Sequence, residues 1–102
     1  MAGLTPIEAL RERIDEIDSQ IVTLFVERMT VATSIGNLKR TGGLAVVDEQ
    51  REQQVIDRAK AMTDPLLSTE VGTLMQTLIS LSRAHQERLL AAADAESESS
   101  NK

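Results

Sequence analysis

Ile7-Glu8-Ala9-Leu10-Arg11-Glu12-Arg13-Ile14-Asp15-Glu16-Ile17-Asp18-Ser19-Gln20-Ile21-Val22-Thr23-Leu24-Phe25-Val26-Glu27-Arg28-Met29-Thr30-Val31 is the stretch from which the fold can be read. Ile7, Leu10, Ile14, Ile17, Ile21 and Leu24 recur at alternating spacings of three and four residues, and Val31, Ile35 and Leu38 continue the same beat. Such spacing specifies a long helix with one apolar seam. Arg28 falls on the beat, between Leu24 and Val31, where an apolar residue is due. An arginine cannot lose its charge, and leaving it buried and unpaired costs on the order of several kcal/mol. It requires an anionic partner or a wet cavity, so a cationic pocket in a helical bundle is the first functional hint.

The long helix marks its own ends. Thr5 can cap it, Pro6 suits the first helical position, and Glu8 completes a Thr-x-x-Glu capping box. Lys39 and Arg40 suit the negative end of a helix, and Gly42-Gly43 stops it. A helix from about residue 5 to 40 is roughly 50 Å long at 1.5 Å per residue, whereas a compact domain of about 100 residues spans roughly 35 Å. The chain cannot cover that seam by itself, which predicts that a second copy buries most of it.

Leu44 to Val47 forms a short apolar connector, and Asp48 is placed to cap a second helix with Glu49 and Glu52 in its first turn. Val55, Ile56, Ala59 and Met62 give that helix a modest apolar face, and Thr63-Asp64-Pro65 breaks it. A third helix is expected from about 65 to 91, striped by Leu67, Val71, Leu74, Leu78 and Leu81, with Gly72 as its weak point. The polar, acidic segment 94–102 is expected to be a disordered tail, leaving one folded domain over 1–93. The expected fold class is all-α: three helices, very long, short and long, with a second copy of the chain along the first helix.

Composition narrows the chemistry. The 102 residues are 41% hydrophobic with a single aromatic, so the core is built from aliphatic side chains, which suits helices. A net charge of −5 without a Lys/Arg cluster argues against nucleic acid as a partner. No signal-like segment or membrane-length apolar run is present in this sequence. The absence of cysteine excludes a thiol nucleophile or disulfide and suits the cytoplasm. His85 is the sole histidine, which leaves no His-rich metal site. It reads more readily as an interface or surface residue than as a catalyst. Thr41-Gly42-Gly43 ends a helix and is no phosphate loop. No metal and no cofactor are expected; an enzyme made of these residues works by positioning and electrostatics.

Several polar residues stand out against simpler explanations. Lys39 follows Arg28 by three helical turns, within about 20° on the same face and roughly 16 Å away, a gap that two long side chains can narrow around a small anion. Arg11 lies about 25 Å from Arg28 along the helix, so it can join such a pocket only from an antiparallel partner chain. On spacing alone, solvated charge at the edge of the seam is the better explanation of Arg11 and Lys39. Ser82 and Gln86 sit one turn apart on the third helix, where they either line a cavity or satisfy buried backbone. Asp48, Arg51 and Glu52 cluster at the head of the second helix, where capping and a local ion pair also account for them.

Taken together, the segments Ala9-Leu10-Arg11-Glu12-Arg13-Ile14-Asp15, Ile17-Asp18, Glu27-Arg28, Ile35-Gly36-Asn37-Leu38-Lys39, Asp48-Glu49-Gln50-Arg51-Glu52 and Ser82-Arg83-Ala84-His85-Gln86 resemble the all-helical chorismate mutase family. These are small intertwined dimers that convert chorismate to prephenate in phenylalanine and tyrosine biosynthesis. The resemblance covers residues 5 to about 91. It implies that Arg28 and Arg11 of the partner subunit bind the two substrate carboxylates. Lys39 and Gln86 would donate to the ether oxygen, Asp48 and Glu52 would hold the ring hydroxyl, and Arg51 and Ser82 would complete the pocket.

That reaction suits the residues that are missing. A Claisen rearrangement is unimolecular and needs neither nucleophile nor metal. The pocket must hold a flexible dianion in its reactive chair and stabilise charge building on the ether oxygen, which prealigned cationic and amide donors do. A neutral glutamine donates at any pH, so a broad pH profile is expected. Many relatives carry a fused catalytic domain, while this sequence ends in the acidic segment and looks monofunctional. Some free-standing relatives are activated by a separate synthase partner, a point the sequence leaves open. The alternatives are isochorismate-pyruvate lyase on the same scaffold, which the acidic pair Asp48 and Glu52 disfavours, and a non-catalytic helical dimerisation module in which Arg28 pairs with an acidic residue such as Glu52.

Overall fold

The computed structural model describes residues 3–100, with side chains described through residue 97. Helix α1 runs Pro6–Thr41, α2 Glu49–Ala61 and α3 Ser68–Ser100, with a 3-10 turn, Pro65–Leu67, leading into α3. No strand occurs among the described residues. The order is the expected one: very long, short, long.

Local chemistry sets each boundary. The Thr5 hydroxyl accepts from the Glu8 amide at 3.1 Å while the Glu8 carboxylate accepts from the Thr5 amide at 3.1 Å, a complete capping box. At the other end of α1 the Leu44 amide donates to the Lys39 carbonyl at 2.7 Å and the Gly43 amide to the Arg40 carbonyl at 3.1 Å. This is a Schellman ending, and it requires the left-handed backbone that Gly43 adopts at φ 70°. Asp48, extended at φ −130°, caps α2 by accepting from the Arg51 amide at 3.0 Å. Asp64 accepts from the Leu66 amide at 2.9 Å and starts the 3-10 turn at Pro65.

The chain divides into two compact units, Met1–Val31 and Ala32–Lys102. In the first unit the seam residues Ile7, Leu10, Ile14, Ile21, Leu24 and Val31 are exposed, and only Ile17 among its early members is half-buried. In the second unit α2 packs on α3. Ile56 of α2 and Ser82 of α3 are buried there. Gly72 has a packing reason to be glycine. A Cβ at that position would come within 3.3 Å of the Lys60 side chain, so its absence permits the close approach of α2 and α3.

The segment from Asp94, expected to be disordered, is helical through Ser100, while Asn101 and Lys102 lie outside the described residues. The run Ala91-Ala92-Ala93-Asp94-Ala95 is the reason. Alanine is the best helix former, and extending an existing helix avoids the cost of starting one. The unpacked polarity of the segment does not oppose that extension.

Candidate active site

The head of α2 and the last turns of α1 face one open cleft. Lys39 and Ile35 enter it from α1; Asp48, Gln50, Arg51 and Gln54 enter from the start of α2. Lys39 is half-buried, Arg51 and Asp48 exposed. The Asp48 cap orients the first turn of α2, and within that turn the Arg51 guanidinium donates to the Gln54 side-chain carbonyl at 2.7 Å. The structure thus brings three of the residues expected in the site, Lys39, Asp48 and Arg51, onto one surface. Two cations beside a carboxylate suit an anionic ligand that also carries a hydroxyl.

Glu52 is one residue further along α2 and engages α3. Arg83 Nε donates to Glu52 Oε2 at 3.0 Å, and Arg83 Nη2 donates to Glu52 Oε1 in a two-pronged ion pair. The fork geometry of guanidinium and carboxylate makes this the strongest kind of side-chain pair. The Arg83 pKa is raised above its ordinary value, first by the hydrogen bond to Glu52, then by the charges of Glu52, Glu49 and Glu87, against an opposing cost of desolvation. Arg83 lies inside the Ser82–Gln86 segment but had no role from sequence. Its spacing of 31 residues from Glu52 carries no local signal, and only the packing of α2 on α3 creates the contact.

Ser82 is buried, and its hydroxyl donates back to the Leu78 carbonyl at 2.9 Å, the backbone-satisfying arrangement. Gln86, half-buried, reaches α1: its Nε2 donates to the Ala32 carbonyl at 3.0 Å. It lines, with Gly36 and Asn37, a crevice of about 20 Å³, room for about one water and no more. His85 is half-buried on α3. Arg11 and Arg28 belong to the first unit, with Arg11 exposed and Arg28 half-buried.

The chain is thus all-helical, with a cationic cleft beside a capped helix start and an amide donor on the last helix. Residues 10–87 match the family model of chorismate mutase type II. The chain is similar to the chorismate mutase of Methanocaldococcus jannaschii, 30% identical over 83 residues, covering 79% of this chain and 84% of that protein. It is also similar to the 3-dehydroquinate dehydratase of Pyrobaculum aerophilum, 39% identical over 61 residues, covering 56% of this chain. This chain spans only 20% of the length of that second relative. The chain belongs to the chorismate mutase type II family.

Proposed function

We propose that two copies of this chain pair along the exposed seam of α1 and that the dimer rearranges chorismate to prephenate at sites built from both copies. The chain is a chorismate mutase, an isomerase. Arg28 and Arg11 of the partner subunit hold the two carboxylates of the substrate. Lys39 and Gln86 donate to the ether oxygen, where negative charge grows as the carbon–oxygen bond breaks. Asp48 and Glu52 accept from the ring hydroxyl, with Arg83 holding the Glu52 carboxylate in place. Arg51 and Ser82 complete the pocket. Nothing in the reaction requires a nucleophile, so the catalytic work is alignment of the dianion and stabilisation of the developing oxyanion. A cytoplasmic setting suits a chain without cysteine.

The observation that carries this reading is the extent of the family match. It spans residues 10–87 and so encloses all eight proposed site residues, from Arg11 to Gln86. The exposed seam supports the dimer, since a helix with Leu10, Ile14, Ile21 and Leu24 in water lacks the burial that stabilises it. The Arg83–Glu52 pair also weakens the dimerisation-module alternative, because the acid it assigned to Arg28 is engaged by Arg83.

The test is loss of chorismate ultraviolet absorbance with product identification, on wild type and Arg28→Ala. Prephenate should form, and turnover in Arg28→Ala should fall roughly 10²–10³-fold with the dimer intact, the usual loss for one oxyanion or carboxylate donor. Pyruvate from isochorismate, with no prephenate from chorismate, would instead identify the lyase.

A further inference from the structure

Gly36 is the buried residue of α1, one turn after Ala32 on the same helix. A Cβ at Gly36 would stand 2.9 Å from Gln86 Oε1, 3.1 Å from Cδ and 3.3 Å from Nε2. All three atoms belong to one carboxamide, the far end of a flexible side chain. A methyl group there would therefore displace the carboxamide before it moved either helix. The same carboxamide donates from Nε2 to the Ala32 carbonyl at 3.0 Å. That bond fixes which way the amide faces, since the reversed amide would set Oε1 against a carbonyl oxygen, two acceptors with no proton between them. With one N–H held by Ala32, the second N–H has a defined direction.

We propose that Gly36 is a positioning residue for the reaction: its missing side chain forms the seat on which the Gln86 carboxamide rests, and Ala32 sets the orientation of that amide. This role rests on the reading that Gln86 donates to the breaking ether bond. A glycine in mid-helix carries a conformational cost relative to alanine, and seating the amide accounts for its presence. The two requirements on this position oppose one another, because alanine improves the helix and spoils the donor.

The experiment compares wild type, Gly36→Ala, Gln86→Ala and the double variant, by turnover of chorismate, thermal unfolding and the side-chain amide resonances of Gln86 in ¹⁵N-labelled protein. Gly36→Ala should keep the dimer and melt at or above the wild-type temperature. Its kcat should fall on the order of 10–100-fold, with a smaller change in KM. The Gln86 amide resonances should shift. In the Gln86→Ala background, where no carboxamide is left to displace, adding Gly36→Ala should alter kcat by no more than about twofold. Wild-type turnover in Gly36→Ala, unmoved Gln86 resonances, an additive double variant or an unfolded Gly36→Ala would each overturn the positioning role while leaving the mutase activity standing. A folded wild type that does not rearrange chorismate would overturn both.

Discussion

The two units of the chain handle their apolar residues in opposite ways. In Ala32–Lys102 a short helix packs on a long one, Ile56 and Ser82 are buried, and Gly36 and Gly72 let neighbouring groups approach closely. In Met1–Val31 helix α1, from Pro6 onward, carries an equally regular apolar pattern, yet its seam residues remain exposed, Ile17 apart. Both units obey the same helical periodicity, so the contrast lies in partners and not in pattern. The C-terminal unit finds them within the chain, and in the proposed dimer a second copy would supply them to the N-terminal unit. Arg28 lies in the first unit and Lys39 in the second.

The contrast is most exposed to a charge placed on the seam. Leu24, 63% exposed in the single chain, is expected to be buried in the dimer. Leu24→Asp should abolish the dimer at micromolar concentration and lower helicity, a loss on the order of several kcal/mol for a buried unpaired charge. Met62, 84% exposed and off the seam, is the control. Met62→Asp should leave sedimentation and melting within about 0.5 kcal/mol of wild type.

The ion pairs of the two units differ in the same sense. Arg83 and Glu52 join two helices with side chains 42% and 26% exposed, whereas Arg13 and Glu16 lie on one helix at 61% and 64%. Arg83→Leu should cost about 1 kcal/mol by denaturant titration, discounted for solvent screening, and weaken chorismate binding through Glu52. Arg13→Leu should cost about 0.3 kcal/mol or less. Arg83 also has a defined pH signature. Its pKa is raised in the folded state, mainly by the hydrogen bond to Glu52, so its contribution is complete below the unfolded pKa and is lost only as pH rises through the folded one. Stability should therefore show no slope from Arg83 between about pH 5 and 9.

The smallest difference is at the helix caps. Thr5→Ala and Asp48→Ala each remove one side-chain acceptor from an amide, for about 1 kcal/mol. Thr5→Ala should fray the start of α1 with turnover unchanged. Asp48→Ala should lower turnover as well, because the second cap lines the cleft. Circular dichroism and chorismate kinetics on the two variants separate these outcomes.

What could be read from sequence divides along the same line between local and distant. Thr5 and Glu8, Asp48, Gly42-Gly43 and Asp64-Pro65 mark helix ends through contacts a few residues apart, and the structure places the boundaries there. Arg28 stands out in the sequence because it interrupts a period. The Glu52–Arg83 pair and the seat of Gln86 on Gly36 do not, since they join residues 31 and 50 positions apart whose meeting depends on how helices pack. Past Asp94 the alanine run carries α3 on to Ser100 through a stretch whose acidity suggested disorder. The cleft was legible in membership for Lys39, Asp48 and Arg51, while Ile35, Gln50 and Gln54, which also line it, carry no signal that separates them from ordinary helix residues.

The claim that each site draws on both copies is tested most directly by mixing two inactive variants. Arg11→Ala and Arg28→Ala, unfolded together, refolded together and assayed on chorismate, form mixed dimers in which one site holds an intact Arg28 and an intact Arg11 of the partner subunit. Random pairing should restore about a quarter of wild-type activity from two preparations that have almost none alone. If both arginines served a site from the same copy, every site in the mixture would lack one of them, and activity would stay at the level of the separate variants.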